Sequence, residues 1–279
     1  MNYSPLRYPG GKSRIAPMVQ ELIKNISPKI STYHEPFCGG AGIALYLLIN
    51  NLVTYIEIND FDCAIYAFWR AVFSDTNELI SMIERTPITI DEWKKQKNIY
   101  VNATKYSVQY AFATLFLNRT NRSGILSAGP IGGYRQEGLW KLNARFNKSE
   151  IIKRIVNISK YENRVIVNNM DIRQYIAMHH FNKNDFIYFD PPYINKANRL
   201  YKNSLVKKDH IEIAEAIKNI NNAKWIITYD DTEIVRLIYS EYYISQFSIQ
   251  YSAATKKKEK ELLILKDNLM KKNIQKYLL

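Results

Sequence analysis

The chain has 279 residues, is 47% hydrophobic and carries a formal net charge of +13. This length and apolar content support a core without disulfides, and Cys38 and Cys63 have no CxxC spacing, which indicates a reducing, intracellular setting. The amino terminus lacks the apolar stretch of a signal peptide, and the richest apolar run is broken by Asn50, Asn51 and Glu57, so we expect a soluble protein.

The surplus of basic residues predicts a polyanionic partner, and nucleic acid is the first choice. A composition rich in Lys, Asn and Ile is also what an AT-rich genome produces. The charge alone therefore leaves both explanations open.

The first elements along the chain predict the start of an α/β sheet. TYHEPF reads as a short strand that ends at Glu35, and CGGAG reads as a glycine turn. IALYLLINN then predicts a helix with an apolar face, and VTYIEIND predicts a second strand. The order strand, glycine loop, helix, strand is typical of open α/β sheets.

The middle of the chain, residues 70–160, predicts a mostly helical insertion. Its helical segments are DEWKKQKNIYVNA, SVQYAFATLFL and FNKSEIIKRIVNISKY, the last with Ser149 near its start. Between them, NRTNRSGILSAGPIGGYRQEGLW predicts a glycine- and arginine-rich loop. We interpret residues 70–160 as a target-recognition insertion into a catalytic domain formed by residues 1–69 and 161–279.

The last part of the chain returns to the sheet. Three segments predict buried strands that end in polar residues: RVIVNNMD, DFIYFD and AKWIITYDD. KKDHIEIAEAIKNI predicts a helix between two of them, and YYISQFSIQYS with KELLILK predicts an antiparallel hairpin at the sheet edge. The intervening lysines at 256–258 are interpreted as a solvated turn, with phosphate contact as the alternative.

Three acids are predicted at strand ends: Glu57, Asp171 and Asp190. Ligands of open parallel sheets bind at the carboxyl ends of the strands, although each acid alone could instead cap a helix. Together with the glycine loop they favour a nucleoside-like ligand. FCGGAG is not GxGxxG, and GxxxxGK[ST] does not occur, so dinucleotide or ATP binding is not the first choice.

His179 and His180 form a pair without a cysteine or acid cluster at metal-ligand spacing. We interpret the pair as part of a surface turn and predict no metal site. A Ser-His-Asp or Cys-His arrangement does not stand out either.

Four motifs resemble those of the Dam-type, D12-class DNA adenine methyltransferases, in the order of that family. RYPGGK at 7–12 is similar to the amino-terminal aromatic-x-Gly-Gly-Lys element, and EPFCGGAG at 35–42 to the S-adenosylmethionine loop. FLNRTNRSG at 116–124 resembles the Asn-Arg segment before the DNA-reading hairpin, and DPPY at 190–193 the catalytic motif. The resemblance implies a Rossmann-like methyltransferase fold, with the antiparallel hairpin and the helical insertion, that acts on adenine N6 in double-stranded DNA.

The resemblance also implies roles for individual residues. Those implied in binding S-adenosylmethionine are Tyr8, Lys12, Phe37, Gly39, Gly40, Gly42, Glu57, Asp171 and Asp190, with Glu57 on the ribose hydroxyls. The implied catalytic residues are Asp190, Pro191, Pro192 and Tyr193. Those implied in DNA binding are Asn118, Arg119, Arg122, Tyr134 and Arg135. A structural role for Asn118 is the alternative.

The DPPY motif fits the chemistry of an exocyclic amine, whose lone pair is delocalised into the base. Hydrogen-bond acceptors at the amine, the Asp190 carboxylate and the Pro191 carbonyl, would favour the tetrahedral nitrogen that attack requires. Tyr193 would stack on the base, which must leave the duplex to be reached. The transferred methyl group is already activated on a sulfonium, so no metal is required.

Several alternatives remain open. They are cytosine N4 as the target, for which serine is more usual at the first motif position, an RNA substrate, and a DNA-binding relative without activity. We expect duplex DNA as partner, a monomer, cytoplasmic localisation in a bacterial or phage-infected cell, and a cognate restriction endonuclease if the protein serves restriction-modification. ILSAGPIGGY departs from the Dam-type hairpin, so GATC-like specificity is not implied.

Overall fold

The computed structural model describes residues 3–7, 12–194, 206–251, 257–267, 270–271 and 274–278. Tyr8 and Lys256 lie outside the described residues. The side chains of Lys257 and Lys258 are likewise not described.

A seven-stranded sheet in the order β3-β2-β1-β4-β5-β7-β6 forms the centre of the molecule. Its strands are β1 Thr32–Glu35, β2 Tyr55–Asn59, β3 Val165–Asn168, β4 Asp185–Phe189, β5 Lys224–Asp230, β6 Tyr243–Tyr251 and β7 Lys257–Leu265. The first five strands pair in parallel, and β7 is antiparallel to both β5 and β6. The predicted Rossmann-like methyltransferase fold and its carboxyl-terminal antiparallel hairpin are therefore confirmed.

Helices connect these strands. The α-helices are α1 Ala16–Lys24, α2 Gly42–Ile49, α3 Cys63–Ser74, α4 Thr76–Arg85, α5 Ile90–Asn102, α6 Val108–Thr120, α7 Lys148–Ser159, α8 Ile172–Met178, α9 Lys207–Lys218 and α10 Glu233–Ile238. The 3-10 helices span Lys12–Ile15, Arg122–Gly124, Leu142–Arg145, Glu162–Arg164 and Gln275–Tyr277.

Polar side chains cap the amino-terminal ends of several helices. The cap of α7 is Asn147, not Ser149, and the Asn147 side chain accepts a hydrogen bond from the backbone N–H of Glu150.

The alternation of side chains along β4 divides the core between the two faces of the sheet. Phe186 and Tyr188 belong to one apolar cluster, and Ile187 and Phe189 to the other. The first cluster continues from the sheet into α3, α4, α5, α6 and α7. The helices between β2 and β3 therefore share a core with the sheet, and the division at residues 70 and 160 stays a prediction.

The strand order changes direction between β1 and β4, which are neighbours in the sheet although β2 and β3 follow β1 in the chain. Such a switch point opens a crevice at the carboxyl ends of the strands, where open α/β sheets bind ligands. Glu35 ends β1 and Asp190 follows β4, so both lie at this crevice.

No helix within the described residues is both long and apolar enough to cross a membrane.

Candidate active site and nucleic-acid interface

A buried lysine joins three parts of the chain at the carboxyl edge of the sheet. The Lys12 ammonium donates to Glu261 Oε2 at 2.9 Å and to the Tyr193 hydroxyl. The same nitrogen lies 3.4 Å from Asp190 Oδ1. Because Lys12 and Glu261 are buried, the amino-terminal segment, the DPPY motif and β7 meet around one cation. The sequence predicted Lys12 and Asp190 but gave no signal for Glu261.

The surroundings of Asp190 determine its charge. Thr228 Oγ1, from β5, donates to Asp190 Oδ1 at 2.8 Å. Burial raises the pKa of Asp190, the Lys12 ammonium lowers it and the Glu261 carboxylate raises it, for a net value of about 6. At neutral pH Asp190 is therefore mostly a carboxylate, which accepts hydrogen bonds and donates none.

The remaining residues of the DPPY motif lead the chain out of β4. Pro191 is buried and Pro192 is half-buried, and the fixed φ of proline limits the directions that their carbonyl groups can take. Tyr193 is buried against Tyr229, with ring centroids 6.2 Å apart. Stacking of Tyr193 on a base needs the ring face that Tyr229 leaves free, and it stays a prediction.

The glycine loop between β1 and α2 packs closely against its neighbours. Gly39 has a φ of 44°, and its N–H donates to Asp60 Oδ2 at 2.8 Å. At Gly42 an added Cβ would lie 2.9 Å from the Cβ of Ser13, so a residue without a side chain is needed there. The other predicted loop residues are half-buried or buried: Phe37 and Gly40.

The acid at the end of β2 is Asp60, and the predicted placement of Glu57 is wrong. Glu57 is the third of five residues in β2, and its carboxylate accepts from Asn168 Nδ2 at 2.6 Å and contacts His179 Nε2 at 2.5 Å. His179 is half-buried in this contact, so it does not belong to a surface turn. Asp60 directly follows β2, and burial with the Asp62 carboxylate raises its pKa to about 7. The segment IEIND contains both acids, and the structure shows that β2 continues past Glu57 to Asn59.

Asp171 is a helix cap rather than a free acid. Its Oδ1 accepts from the backbone N–H of Arg173 at 2.8 Å, and both carboxylate oxygens pair with the Arg173 guanidinium at 2.9 Å. The Arg173 hydrogen bond, which outweighs burial, holds the pKa of Asp171 below its usual value. The predicted contact of Asp171 with a cofactor amine would require these bonds to be exchanged, so the capping alternative describes the structure better.

Glu35 is an additional acid at the switch point. It is the last residue of β1, it is buried, and its Oε2 accepts from the backbone N–H of Ala44 in α2 at 2.9 Å. Burial raises the pKa of Glu35 to about 8. A buried acid of this kind ionises readily only when a cation lies nearby. The sequence showed the strand ending at Glu35, but not that the carboxyl group would be buried beneath the glycine loop.

Asn118 holds the predicted DNA-binding segment against the amino terminus. Its Oδ1 accepts from the Arg7 N–H at 2.7 Å, and its Nδ2 donates to the carbonyl groups of Arg7 and Gly124, each at 2.9 Å. The side chain is buried, and these three bonds use its amide. The prediction that Asn118 contacts DNA is therefore corrected to the structural role that was its alternative.

Four arginines, which we call the arginine cluster, lie close enough to influence one another: Arg7, Arg119, Arg145 and Arg154. Burial, followed by the charges of Arg154 and Arg7, lowers the pKa of Arg119 to about 10. Burial and Arg145 lower the pKa of Arg7. Arg7 Nη1 and Arg119 Nε are buried without a hydrogen-bond acceptor among the described residues. Unpaired buried guanidinium groups are costly, which indicates a place for an anion.

The loop after α6 exposes aromatic and cationic side chains. Arg122 and Arg135 are exposed, as predicted for DNA contacts, and Tyr134 is 62% exposed while its ring edge packs on Trp93. Trp140, which the sequence analysis did not select, is 64% exposed on the same loop. Exposed aromatic and basic residues together are typical of surfaces that contact nucleic acids.

The fold and the DPPY crevice define a methyltransferase of the open α/β type. A family model described as "D12 class N6 adenine-specific DNA methyltransferase" matches residues 8–258. The chain therefore belongs to this class of S-adenosylmethionine-dependent DNA methyltransferases, which confirms the resemblance predicted from its motifs.

Named relatives agree with this class. The chain is 25% identical to the type II methyltransferase M.MjaIII of Methanocaldococcus jannaschii over 215 residues, which cover 69% of this chain and 70% of the relative. It is 23% identical to the type II methyltransferase M.CviBI of Paramecium bursaria Chlorella virus NC1A over 256 residues, covering 88% and 90%. Among solved structures, the rRNA methyltransferase aviRa of Streptomyces viridochromogenes matches at 12% identity over 92% of this chain and 85% of its own, with a TM-score of 0.41.

Replacing Asn118 with Ala should destabilise the protein by about 2 kcal/mol or more, because three backbone groups lose their partner in a largely buried place. Urea unfolding followed by circular dichroism measures the change. The matched control is Asn102→Ala. The exposed amide of Asn102 donates hydrogen bonds to Asn98 within α5, so its removal should change the free energy of unfolding little. Equal stabilities of the two variants would contradict the structural role of Asn118.

Proposed function

We propose that the protein transfers a methyl group from S-adenosylmethionine to the N6 amine of an adenine that has been flipped out of a specific site in duplex DNA. The observation that carries this proposal is the Asp190 carboxylate, which follows β4 at the switch point of the sheet and is fixed by Thr228 and Lys12. Membership in the D12 class supports adenine over cytosine as the target.

The residues around the switch point fit a cationic nucleoside cofactor. Ser13 approaches Gly42 so closely that this loop position has no room for a side chain, and Gly39 and Asp60 lie together at the end of β2. Glu35 and Asp60 have raised pKa values, so a ligand that carries positive charge would favour their ionised forms. We assign Asp60, in place of Glu57, to the ribose hydroxyls, and Glu35 to the cationic part of the cofactor. S-adenosylmethionine supplies the activated methyl group when bound.

Asp190 and the Pro191 carbonyl act on the amine of the target base. As acceptors they would hold its two N–H groups and favour the tetrahedral nitrogen, whose lone pair would take the methyl group as the methyl–sulfur bond breaks and S-adenosylhomocysteine leaves. The nitrogen must then lose one proton, which can pass to Asp190 or to water. An acceptor that is already in place needs no rearrangement as the charge develops, and this preorganisation is the main source of catalysis.

Lys12 and Glu261 set the charge and position of Asp190. The Lys12 ammonium lies between the carboxylates of Asp190 and Glu261. It donates a hydrogen bond to Glu261, so it is not available to Asp190 alone. This arrangement keeps Asp190 ionised at neutral pH without pairing it fully with the lysine. A carboxylate fully neutralised by an ion pair would be a weaker acceptor for the amine.

The arginine cluster and the exposed loop form the proposed DNA surface. Arg7 and Arg119 would donate their unpaired N–H groups to a backbone phosphate, because phosphate oxygens accept hydrogen bonds from guanidinium groups. Arg122 and Arg135 are placed for further DNA contacts, and Tyr134 with Trp140 for contacts with bases. The chain's net charge of +13 suits such a partner.

A restriction-modification role is proposed from the names of the relatives, which are type II methyltransferases. A cognate restriction endonuclease, a monomeric state and a cytoplasmic location stay predictions.

The proposed function is tested by incubating the protein with labelled S-adenosylmethionine and unmethylated genomic DNA, followed by nucleoside analysis and mapping of the modified base. We expect N6-methyladenine within one short sequence motif. Asp190→Asn should lower the rate by at least about 10²-fold, because it replaces an acceptor with a group that also donates. Asp231→Asn, an exposed acid that follows β5 and pairs with Arg236, is the matched control and should keep its activity.

Each contrary outcome of this assay has a definite meaning. N4-methylcytosine would preserve the chemistry but overturn the target base. Transfer to RNA alone would overturn the substrate. An active Asp190→Asn enzyme would refute the proposed mechanism, and absence of both transfer and cofactor binding would favour a DNA-binding relative without activity.

Glu261→Gln should move the acid limb of the pH–rate profile towards lower pH. Asp190 must be ionised to act, and Glu261 raises its pKa, so removing that negative charge lowers the pH at which Asp190 becomes protonated. Single-turnover rates at saturating cofactor and DNA measure the profile. A purely structural role for Glu261 predicts instead a rate that falls equally at every pH, with the limb unmoved.

Arg119→Met should stabilise the DNA-free protein while weakening DNA binding. The substitution removes a buried charge that repels Arg7 and Arg154, and it also removes one proposed phosphate contact. We expect a higher Tm and a salt-dependence slope of DNA binding that is smaller by about one. The control Arg85→Met removes an exposed arginine from α4 and should change neither quantity. Unchanged DNA affinity would remove Arg119 from the interface.

A further inference from the structure

Two histidines and a glutamate meet inside the molecule, away from the residues assigned to catalysis. His34 lies on β1, Glu57 on β2, and His179 directly after α8. One potential ligand atom from each lies within 4.8 Å of the other two. His34 and Glu57 are buried and His179 is half-buried.

The hydrogen bonds of His179 require a positive centre between it and Glu57. His179 Nδ1 lies 2.6 Å from the carbonyl oxygen of Tyr175, an acceptor, so Nδ1 carries a proton. The remaining nitrogen, Nε2, faces Glu57 Oε1 at 2.5 Å. A neutral imidazole would therefore direct a lone pair at a carboxylate oxygen. At this separation a proton lies between the two atoms, and a metal ion binds here only if it displaces that proton and the two atoms move apart.

The surroundings of His34 match those of a metal ligand. Its Nδ1 faces Glu57 Oε2 at 3.7 Å, and its Nε2 lies 3.8 Å from the Asp185 carboxylate. His34 Nε2 is buried without a hydrogen-bond partner among the described residues. Histidines that bind metals usually direct their second N–H to a carboxylate or a backbone carbonyl. His179 with the Tyr175 carbonyl shows this pattern, and Asp185 lies on the corresponding side of His34, although at 3.8 Å it is beyond hydrogen-bond distance.

We propose that His34, Glu57 and His179 bind one divalent transition-metal ion, for which Zn²⁺ is the best-fitting probe. Two imidazole nitrogens and one carboxylate are ligands that Zn²⁺ commonly takes, with water in the fourth position of a tetrahedral site. The Tyr175 hydroxyl lies 2.9 Å from His34 Nδ1. When the metal binds this nitrogen, the hydroxyl would donate its hydrogen bond to the Glu57 carboxylate instead.

The ion would connect β1, β2 and the end of α8. At its amino-terminal end α8 is capped by Asp171. The preceding residue, Met170, is hydrogen-bonded to Asn59 at the end of β2, which we assign to the cofactor site. The metal therefore has a structural role, since it fixes α8 on the sheet, and the methyl transfer itself does not involve it. Because the chemistry needs no metal, the two proposals succeed or fail independently.

A proton is the competing occupant. Burial opposes and the Glu57 carboxylate favours the charged imidazole, and the net effect raises the pKa of His179. The pKa of Glu57 is lowered, although burial opposes this, chiefly by its hydrogen bond to His179. An imidazolium–carboxylate pair would satisfy Nε2 of His179 and would leave His34 Nδ1 on the Tyr175 hydroxyl.

Cobalt spectroscopy on the full chain distinguishes the two occupants. After dialysis against a chelator, the protein is titrated with Co²⁺, and Zn²⁺ is then added as a competitor. We expect visible d–d absorption that saturates at about one equivalent and is lost when Zn²⁺ is added. His179→Gln and Glu57→Gln should each weaken Co²⁺ binding by at least about tenfold, since even the loss of a supporting hydrogen bond costs 10- to 100-fold.

The adjacent His180 provides a matched control, because it is the same residue type but is exposed. His180→Gln should retain the cobalt spectrum and the rise in Tm that Zn²⁺ produces, whereas His179→Gln should lose both. Circular dichroism and cofactor binding confirm that each variant is folded. Absence of a saturable spectrum, equal loss in His180→Gln, or retention in His179→Gln would overturn the metal site in favour of the proton.

Discussion

The carboxyl edge of the sheet depends on one buried cation. Lys12 is almost inaccessible to solvent, and its ammonium group lies between two carboxylates, one directly after β4 and one on β7. Removing one partner from a buried charge pair typically costs about 3–5 kcal/mol, because the remaining charge has no water to solvate it. The position of Lys12 is therefore strongly determined, and with it the position of Asp190.

The topology of the sheet explains why so many acids collect at this edge. The switch point places the ends of β1 and β4 side by side, and each carries an acid, Glu35 and Asp190. Asp60 joins them from the end of β2. All three have raised pKa values, because burial disfavours carboxylates that lack a full set of cationic partners. The site therefore holds more acid groups than the single lysine can keep ionised, which suits a cofactor whose positive charge would favour their ionised forms.

The sequence predicted the features that are local in the chain and missed those created by folding. The DPPY motif, the glycine loop and the individual strands are local, because they depend on the residue types of short segments. The sequence predicts Glu57 at the end of β2, but Asp60 stands three residues later, and only the strand pairing shows that β2 ends at Asn59. Glu261 and His179 acquire their roles from partners far away in the chain, and no short pattern around them indicates this.

The amino-terminal segment connects the DNA surface to the catalytic cluster. The backbone of Arg7 is bound on both its N–H and its carbonyl by Asn118 of α6, and its side chain belongs to the arginine cluster. Only five residues further along, Lys12 contacts Asp190 and Tyr193. A phosphate bound at the arginine cluster would relieve the repulsion between Arg7 and its neighbours. DNA would therefore stabilise the protein at a place where the free protein leaves guanidinium N–H groups without acceptors.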